Sequence, residues 1–457
     1  MDPIGRAVPR VGSTTTKSVS IAITAAFMAA ANLTIWFPGE SGPDGQSQYE
    51  QVVAGQLNDW HPPIMAWLWS IFRLLADGDA PMFCFQVLFY WLGFGLIAIT
   101  LARAGRTLAA WTMLGVALLP PFLRLNVVLL KDVGMAVTFL SAFAALFWYR
   151  TRNRVVPAAV VAISLVLLFY GTLVRANAVF AVVPLFVYVI RPQWLARPWQ
   201  LLAVSIPLAL ALVPAANLFN HRVLRAEPLE AIRSLQTFDI TGIAFYSDDL
   251  AVFGPDNSFT REEVTGCYKP RGWDPLSPWG ECRFFWNRLA VSRDLQGIIE
   301  NLDGRSAMGA EPNPDLLDLW VAAIIRHPLA YATHRLANFS SEMTAPPYLD
   351  FNATMIAPPY RVLYDVVTAP ALWLAIGAVL LLQLASARSL PRSASTDAAL
   401  TLVLSSLPYS CAYLIIGVGT ESRYLYWSLI AIFAALVIHA PVALGRVHQT
   451  SRLAASQ

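Results

Sequence analysis

The chain has 457 residues, of which 56% are hydrophobic and 13% are charged, and its formal net charge is +3. Soluble globular proteins have about 45–50% apolar and about 25% charged residues, so this composition excludes an ordinary soluble domain and indicates a membrane protein. The small positive charge is concentrated in short loops, which argues against a nucleic-acid partner.

The hydrophobic runs predict an all-α polytopic membrane protein with about ten transmembrane helices. The first run, 18–37, follows Arg6, Arg10 and Lys17 as in a signal anchor, although the alanines at 29–31 also fit a signal-peptide cleavage site. The later runs lie at 81–102, 107–123, 132–149, 155–173, 179–190, 199–219, 363–385, 398–417 and 425–444.

The loops on one side of these predicted spans are all basic and contain no acid. They are residues 103–106, 150–154, 191–198, 388–393 and 445–452. Because basic loops face the cytoplasm, we expect both termini in the cytoplasm and the opposite loops outside. The expected location is a bacterial inner (plasma) membrane.

Three parts follow from this topology. Residues 1–219 form an N-terminal membrane domain with a first extracytoplasmic region at 38–80, and residues 363–457 form the C-terminal membrane helices. Between them, residues 220–362 are too long and too polar for a connector and predict an extracytoplasmic domain of mixed structure. Within the first region, residues 62–75 are too short to span a bilayer and predict a helix lying in the interface.

The first extracytoplasmic loop, residues 38–61, contains several acids close to a membrane span. They are Glu40, Asp44, Glu50 and Asp59. A carboxylate in such a position can act as a general base, although a solvated loop explains the same pattern.

An acid early in this loop, then a polar and aromatic helix and the stretch NDWHPP (58–63), resembles the GT-C integral-membrane glycosyltransferases. These include protein O-mannosyltransferases and lipid A aminoarabinose transferases. The resemblance implies that Asp44 is the catalytic carboxylate, which acts as the general base. Glu40 or Glu50 stays as an alternative, because the family often shows an adjacent Asp-Glu pair whereas Gly45 follows Asp44. Asp59 is the main rival, although it can instead cap the helix that follows. Further candidates in this loop are the substrate-binding residues Gln48, Trp60 and His61.

Cationic side chains stand at the predicted outside ends of several spans. They are Arg124, Lys131, Arg175 and Arg423, and Tyr424 follows the last of them in ESRYLYW, which resembles the RY motif of several GT-C families. Arginine and lysine bind phosphate well, so we expect these residues to hold the phosphate of a lipid-linked donor. The alternative is snorkelling, or pairing of Lys131 with Asp132 and of Arg423 with Glu421.

The cysteines and possible metal ligands add little chemistry. Cys267 and Cys282 lie in the polar segment and predict a disulfide in an oxidising compartment, with two free thiols as the alternative. No cluster has zinc-site spacing, and no cofactor is assigned. The pair Asp248-Asp249 could bind a divalent cation, although such a pair in a loop is usually solvated.

These observations together predict an inverting glycosyltransferase of the cell envelope, acting in glycan biosynthesis. The resemblance implies a polyprenyl-phosphate sugar donor and a lipid, glycan or protein acceptor, both at the bilayer. A transporter or flippase of a lipid-linked sugar is the alternative, and it explains the spans and cations but not the long polar segment. A non-catalytic scaffold for envelope assembly is the third possibility.

Overall fold

The computed structural model describes residues 11–190, 198–255, 259–292, 304–345, 369–386 and 393–454. Within these ranges the chain is helical, with three isolated β-bridges and no strand, so the predicted all-α architecture is confirmed there. The described part of the polar segment 220–362 consists of helices, turns and loops. Three predicted features lie outside the described residues: the loops at 191–197 and 388–392, and residues 363–368 of one span.

Six helices in the described ranges are long and apolar enough to cross a membrane. They are Thr15–Trp36, Ala80–Arg103, Lys131–Arg150, Ala203–Val223, Ala394–Ile416 and Arg423–Ala440. At about 1.5 Å per residue, such helices match a hydrocarbon core of about 30 Å. Shorter apolar helices stand at the other predicted spans: Thr107–Ala117, Ala158–Leu173, Ala176–Ile190 and Pro370–Ser386.

The helices are numbered in chain order. Those before the polar segment are α1 (Val11–Trp36), α2 (Pro43–Ala54), α3 (Pro63–Phe72), α4 (Ala80–Arg103), α5 (Thr107–Ala117), α6 (Pro120–Leu125), α7 (Lys131–Arg150), α8 (Ala158–Leu173), α9 (Val179–Ile190) and α10 (Pro198–Leu218). Those within it are α11 (Ile232–Ser247), α12 (Arg261–Cys267), α13 (Phe284–Leu289), α14 (Gly304–Met308), α15 (Leu316–Arg326) and α16 (Pro328–Met343). The last three are α17 (Pro370–Ser386), α18 (Ala394–Ile416) and α19 (Tyr426–Ala454).

Most of the apolar helices share one large core. Helix α4 packs against α1, α5 and α7, and α18 packs against α9 and α19. Helix α7 is buried along almost its whole length, with Phe139, Leu140 and Phe143 fully inaccessible. A helix that is apolar on every side lies inside a bundle, so the first residues of α7 are fixed by surrounding helices.

The polar segment has a second core of its own. Phe253, Phe285 and Trp286 are fully buried there, and a disulfide joins Cys267 to Cys282. Trp60 of the first loop packs against this second core, whereas α3 packs against the first. The first loop therefore lies between the membrane helices and the polar segment.

A buried ionic network joins the polar segment to the loop after α18. The carboxylate of Asp239 forms an ion pair with Arg335 and accepts hydrogen bonds from Trp320 Nε1 at 2.8 Å and His334 Nε2 at 2.9 Å. Burial lowers the pKa of His334, so the neutral ring donates to Asp239 from Nε2. Arg335 also donates to the carbonyl oxygen of Gly417 at 2.6 Å, which holds the polar segment against the membrane helices.

We expect Asp239→Ala to destabilise the polar segment by about 3–5 kcal/mol, because it leaves the buried Arg335 guanidinium without its counter-charge. The measurement is thermal unfolding of the purified chain, followed by tryptophan fluorescence. Asp318→Ala is the matched control, because Asp318 is an exposed acid on α15 and its loss should change stability by less than about 0.5 kcal/mol. Equal melting temperatures for the two variants would show that this network contributes no stability.

Candidate functional site

The start of α2 carries the leading candidate acid. Pro43 occupies the first turn of α2 and Asp44 follows it, a position where the helix dipole favours a negative charge. Gly45 allows the close approach of α2 to the segment before α7, because a Cβ at this residue would lie 3.0 Å from the carbonyl oxygen of Leu129. The local sequence therefore places the Asp44 carboxylate beside the first residues of α7.

Both ends of the first loop are fastened by backbone hydrogen bonds. The amide of Glu40 donates to Val127 O at 3.1 Å, and the carbonyl of Glu40 accepts from Leu129 N at 2.8 Å. At the other end, the amide of Asp59 donates to Glu227 O at 3.0 Å. The loop is thereby held to the membrane helices at one end and to the polar segment at the other.

Three ionisable side chains from other segments meet at the carboxylate of Asp44. Arg423 Nη1 donates to Asp44 Oδ2 at 3.1 Å, and Lys131 Nζ lies 3.5 Å from the same oxygen. His61 Nε2 lies 3.9 Å from Asp44 Oδ1, and His61 Nδ1 lies 3.0 Å from Lys131 Nζ. We call these residues the Asp44 cluster: Asp44, His61, Lys131 and Arg423.

The charges in the Asp44 cluster determine its protonation. Burial raises the pKa of Asp44, but the positive charges of Lys131 and Arg423 outweigh burial and hold this pKa well below its ordinary value. Burial and the charge of Lys131 lower the pKa of His61 to about 3. His61 is therefore neutral near pH 7, accepts a hydrogen bond from Lys131 at Nδ1 and carries its proton on Nε2, the nitrogen nearer Asp44.

We expect the wild-type chain to lose thermal stability between about pH 7 and about pH 5, and His61→Gln to lose less. In the unfolded chain His61 takes up a proton near its ordinary pKa of 6.5, whereas in the folded chain this pKa is about 3. Stability that is present above pH 6.5 is thus lost as the pH falls. Asp44 changes the stability only at lower pH, since its ordinary pKa is 3.8 and folding lowers this pKa. The measurement is the melting temperature at both pH values, and an identical loss in both proteins would contradict the assignment.

A cavity of about 980 Å³ opens beside the Asp44 cluster, between the first loop, the polar segment and the starts of α7 and α19. All four members of the cluster line it, and so do Tyr424 and Glu421. The polar segment contributes further lining side chains that sequence analysis did not single out, namely Trp273, Asp274 and Trp279. The only feature that could have marked them is the stretch WDPLSPW, in which two tryptophans flank an acid.

The other two candidate acids lie elsewhere. Asp59 Oδ1 accepts a hydrogen bond from Leu229 N at 2.6 Å, and Asp59 Oδ2 lies 3.4 Å from His221 Nε2, so both oxygens serve to fasten the first loop. Glu40 pairs with Arg124 at 2.6 Å and lines a different cavity of about 640 Å³. Neither acid is among the described residues that line the cavity of the Asp44 cluster.

Two further cations that were predicted to bind the donor phosphate, Arg175 and Arg423, have different positions relative to the cavity. Arg175 pairs with Asp132, donates to the Tyr413 hydroxyl at 2.6 Å and places its guanidinium carbon 4.6 Å from the centre of the Tyr424 ring. It therefore supports the cavity wall from behind. Arg423 pairs with Glu421 as well as with Asp44.

Gln48 is buried on the inner face of α2, where its side-chain amide donates to the carbonyl oxygen of Asp44 at 3.2 Å. Asp248 pairs with Arg261, and Asp249 accepts a hydrogen bond from His327 at 2.8 Å. Across the described residues, no group of three His, Cys, Asp or Glu side chains could hold a metal ion.

The arrangement combines an ionised carboxylate with two cations and a neutral imidazole. An ionised carboxylate can accept a proton from a hydroxyl group, and neighbouring cations can bind a phosphate. Neither a family model, nor a curated protein, nor a solved structure matches this chain.

Proposed function

We propose that the chain is an inverting glycosyltransferase of GT-C type that moves a sugar from a polyprenyl phosphate to an extracytoplasmic acceptor. The observation that carries the proposal is the environment of Asp44. Its carboxylate lines a cavity at the ends of membrane helices, with Lys131 and Arg423 within 3.5 Å. A lipid-linked donor would reach such a cavity from the bilayer, so that its phosphate meets these two cations.

The proposal includes a topology of about ten spans in a bacterial inner membrane, with both termini in the cytoplasm. The shorter apolar helices α5, α8, α9 and α17 would complete the count beside the six long ones. The basic loops support this orientation, which places the cavity outside the cytoplasm. Nucleotide sugars are cytoplasmic, so the orientation also favours a lipid-phosphate donor.

The proposed reaction is a single displacement. The acceptor hydroxyl oxygen attacks the anomeric carbon while Asp44 takes the hydroxyl proton, and the bond from this carbon to the phosphate oxygen breaks. The electron pair of that bond leaves on the polyprenyl phosphate, whose developing charge Lys131 and Arg423 stabilise. Attack and departure occur on opposite faces of the sugar carbon, so its configuration inverts.

The donor would also activate the base. In the structure, Lys131 and Arg423 lower the pKa of Asp44, which makes this carboxylate a weak base. A bound phosphate would share the two cations and neutralise part of their charge, so the pKa of Asp44 would rise towards its ordinary value. Proton abstraction is thereby coupled to the presence of the donor.

The transporter alternative has less support from the position of the charged groups. Secondary transporters place their coupling residues near the middle of discontinuous membrane helices. Here Asp44 and His61 lie in the first loop, Lys131 is the first residue of α7, and Arg423 stands in the short 3₁₀ turn before α19. This placement suits chemistry at the membrane boundary.

The glycan profile of the cell envelope tests the proposal. Deletion of the gene should remove one sugar linkage, which the wild-type gene and the Asp318→Asn control should restore. Asp44→Asn should not restore it, although the protein is present in the membrane at the same level. Full restoration by Asp44→Asn, or an unchanged profile after deletion, would overturn the proposal.

A further inference from the structure

A cluster of tryptophans borders the cavity on the side of the polar segment. The Trp60 ring centre lies 5.9 Å from Trp273, 5.8 Å from Trp279 and 5.9 Å from Trp286. Trp286 is fully buried and backs the cluster, whereas the other three line the cavity. We call these three residues, Trp60, Trp273 and Trp279, the indole wall.

The indole N–H groups of this wall differ from those of Trp286 and Trp320 in the polar segment. Trp286 Nε1 donates to Ala307 O at 3.2 Å and Trp320 Nε1 donates to Asp239 at 2.8 Å, as buried indoles usually do. With the residues that the structure describes, Nε1 of Trp60, Trp273 and Trp279 makes no hydrogen bond, and Trp279 is 55% exposed. An apolar ring face with a free N–H donor at its edge is available to a ligand at this wall.

The charges around the cavity restrict the ligand. Beyond the two cations of the Asp44 cluster, the described lining residues carry no further lysine or arginine. They do carry acids and neutral amides, namely Glu50, Glu227, Asp274, Glu421, Gln51, Gln56 and Asn58. An anionic acceptor would meet like charges here, whereas neutral hydroxyl groups can bond to both the carboxylates and the amides.

We propose that the indole wall and Asp274 form the acceptor subsite, and that the acceptor is a neutral saccharide chain. The C–H face of a sugar ring packs on an indole ring, and its hydroxyls bond to the polar groups around it. Asp274 is exposed and lines the same cavity as Asp44 and Arg423, so a sugar held here can present a hydroxyl to the base. The cavity of about 980 Å³ is of the size that binds a ligand of several rings. This assignment of the acceptor rests on the proposed function.

Saturation-transfer NMR on the full chain in lipid nanodiscs, without donor, tests the subsite. The probes are neutral di- to hexasaccharides of mannose, arabinose, galactose and glucose, with oligogalacturonates of equal length as the anionic comparison. At least one neutral probe should receive saturation at its ring C–H protons, and the oligogalacturonates should not. Trp279→Ala should weaken this binding about tenfold, and Asp274→Asn should weaken it too.

Trp111→Ala is the matched control, because Trp111 is 43% exposed on α5 and is not among the lining residues. Melting temperatures show whether each variant is folded. Absence of binding by every neutral probe, equal binding of oligogalacturonates, or unchanged binding in folded Trp279→Ala and Asp274→Asn would each overturn the inference.

The acceptor assignment and the proposed function can be refuted independently of each other. Transfer of sugar to a peptide or lipid, with no saccharide bound at the indole wall, would overturn the acceptor assignment and leave the glycosyltransferase proposal standing. Saccharide binding that depends on Trp279 in a chain that transfers no sugar would overturn the proposed function and leave the indole wall as a saccharide-binding site with no acceptor role.

Discussion

Replacing Asp44 by asparagine should lower the rate of sugar transfer by about 10²–10⁴-fold, because an amide cannot take the proton of the acceptor hydroxyl. The Michaelis constant for the donor should stay the same or fall, since Lys131 and Arg423 lose a competing anion and remain free for phosphate. The measurement is kcat and KM for a polyprenyl-phosphate sugar, with the melting temperature as the check on folding.

Two other acids of the first loop are the matched controls. Asp59→Asn should lower the stability by about 0.5–1.5 kcal/mol, because it weakens the contact between this side chain and the His221 ring, yet keep transfer within a few-fold of the wild type. Glu40→Gln removes only the pair with Arg124 and should behave likewise. If Asp44→Asn turns over normally while one of these variants is folded and inactive, the base is another acid.

Removing either cation of the Asp44 cluster should produce the second-largest effect. Lys131→Ala and Arg423→Ala should each lower kcat/KM for the donor about 10- to 150-fold, which corresponds to a charge-assisted contact of about 1.5–3 kcal/mol. Each change also removes a positive charge beside Asp44, so the pKa of this carboxyl should rise. The acidic limb of the pH–rate profile should therefore move to higher pH.

Cations outside the cavity provide the comparison. Arg124→Ala removes the pair with Glu40 and should leave donor kinetics within a few-fold of the wild type. Arg175→Ala should chiefly destabilise the chain, because it leaves the buried Asp132 without its partner. Wild-type donor kinetics in folded Lys131→Ala or Arg423→Ala would mean that the residue only pairs with Asp44.

All four members of the Asp44 cluster could be nominated from the sequence. Asp44, His61, Lys131 and Arg423 each stand at a polar position next to a hydrophobic run, where an ionisable group is costly unless it is paired, hydrated or functional. The cations Lys131 and Arg423 were expected to meet at one phosphate, but their contact with Asp44 could not be predicted, since Arg423 and Asp44 are 379 residues apart. Contacts over such separations depend on how the helices pack, which hydropathy does not encode.

The distinct roles of similar residues needed the structure for the same reason. Asp59 and Asp44 are both acids of one short loop, and only their partners distinguish them. Asp59 binds the backbone of Leu229 and anchors the loop, whereas Asp44 pairs with Arg423 and lines the cavity. Most of the indole wall could not be predicted from the sequence, because the loops of the polar segment have no periodicity that would show which side chains face the first loop. Trp60 was predicted to bind substrate, but its neighbours Trp273 and Trp279 were not.

The fold was easier to anticipate than the site. Long apolar runs have few structural solutions in a membrane, so the all-α architecture follows from composition and run length. Exact span lengths do not, because a proline can start a new helix inside one hydrophobic run. Helix α5, for example, stops at Ala117 and α6 begins at Pro120, although residues 107–123 form one apolar run.

The most direct measurement is the release of polyprenyl phosphate by the purified chain in nanodiscs. The donors are a panel of polyprenyl-phosphate pentoses and hexoses, with saccharides of the envelope as acceptors and nucleotide sugars as the comparison. We predict that the wild type releases polyprenyl phosphate from at least one donor and uses no nucleotide sugar, and that release by Asp44→Asn is slower by about 10²-fold or more. Equal release by the wild type and Asp44→Asn, or no release from any donor by the wild type, would contradict the assignment of Asp44 as the base of a glycosyl transfer.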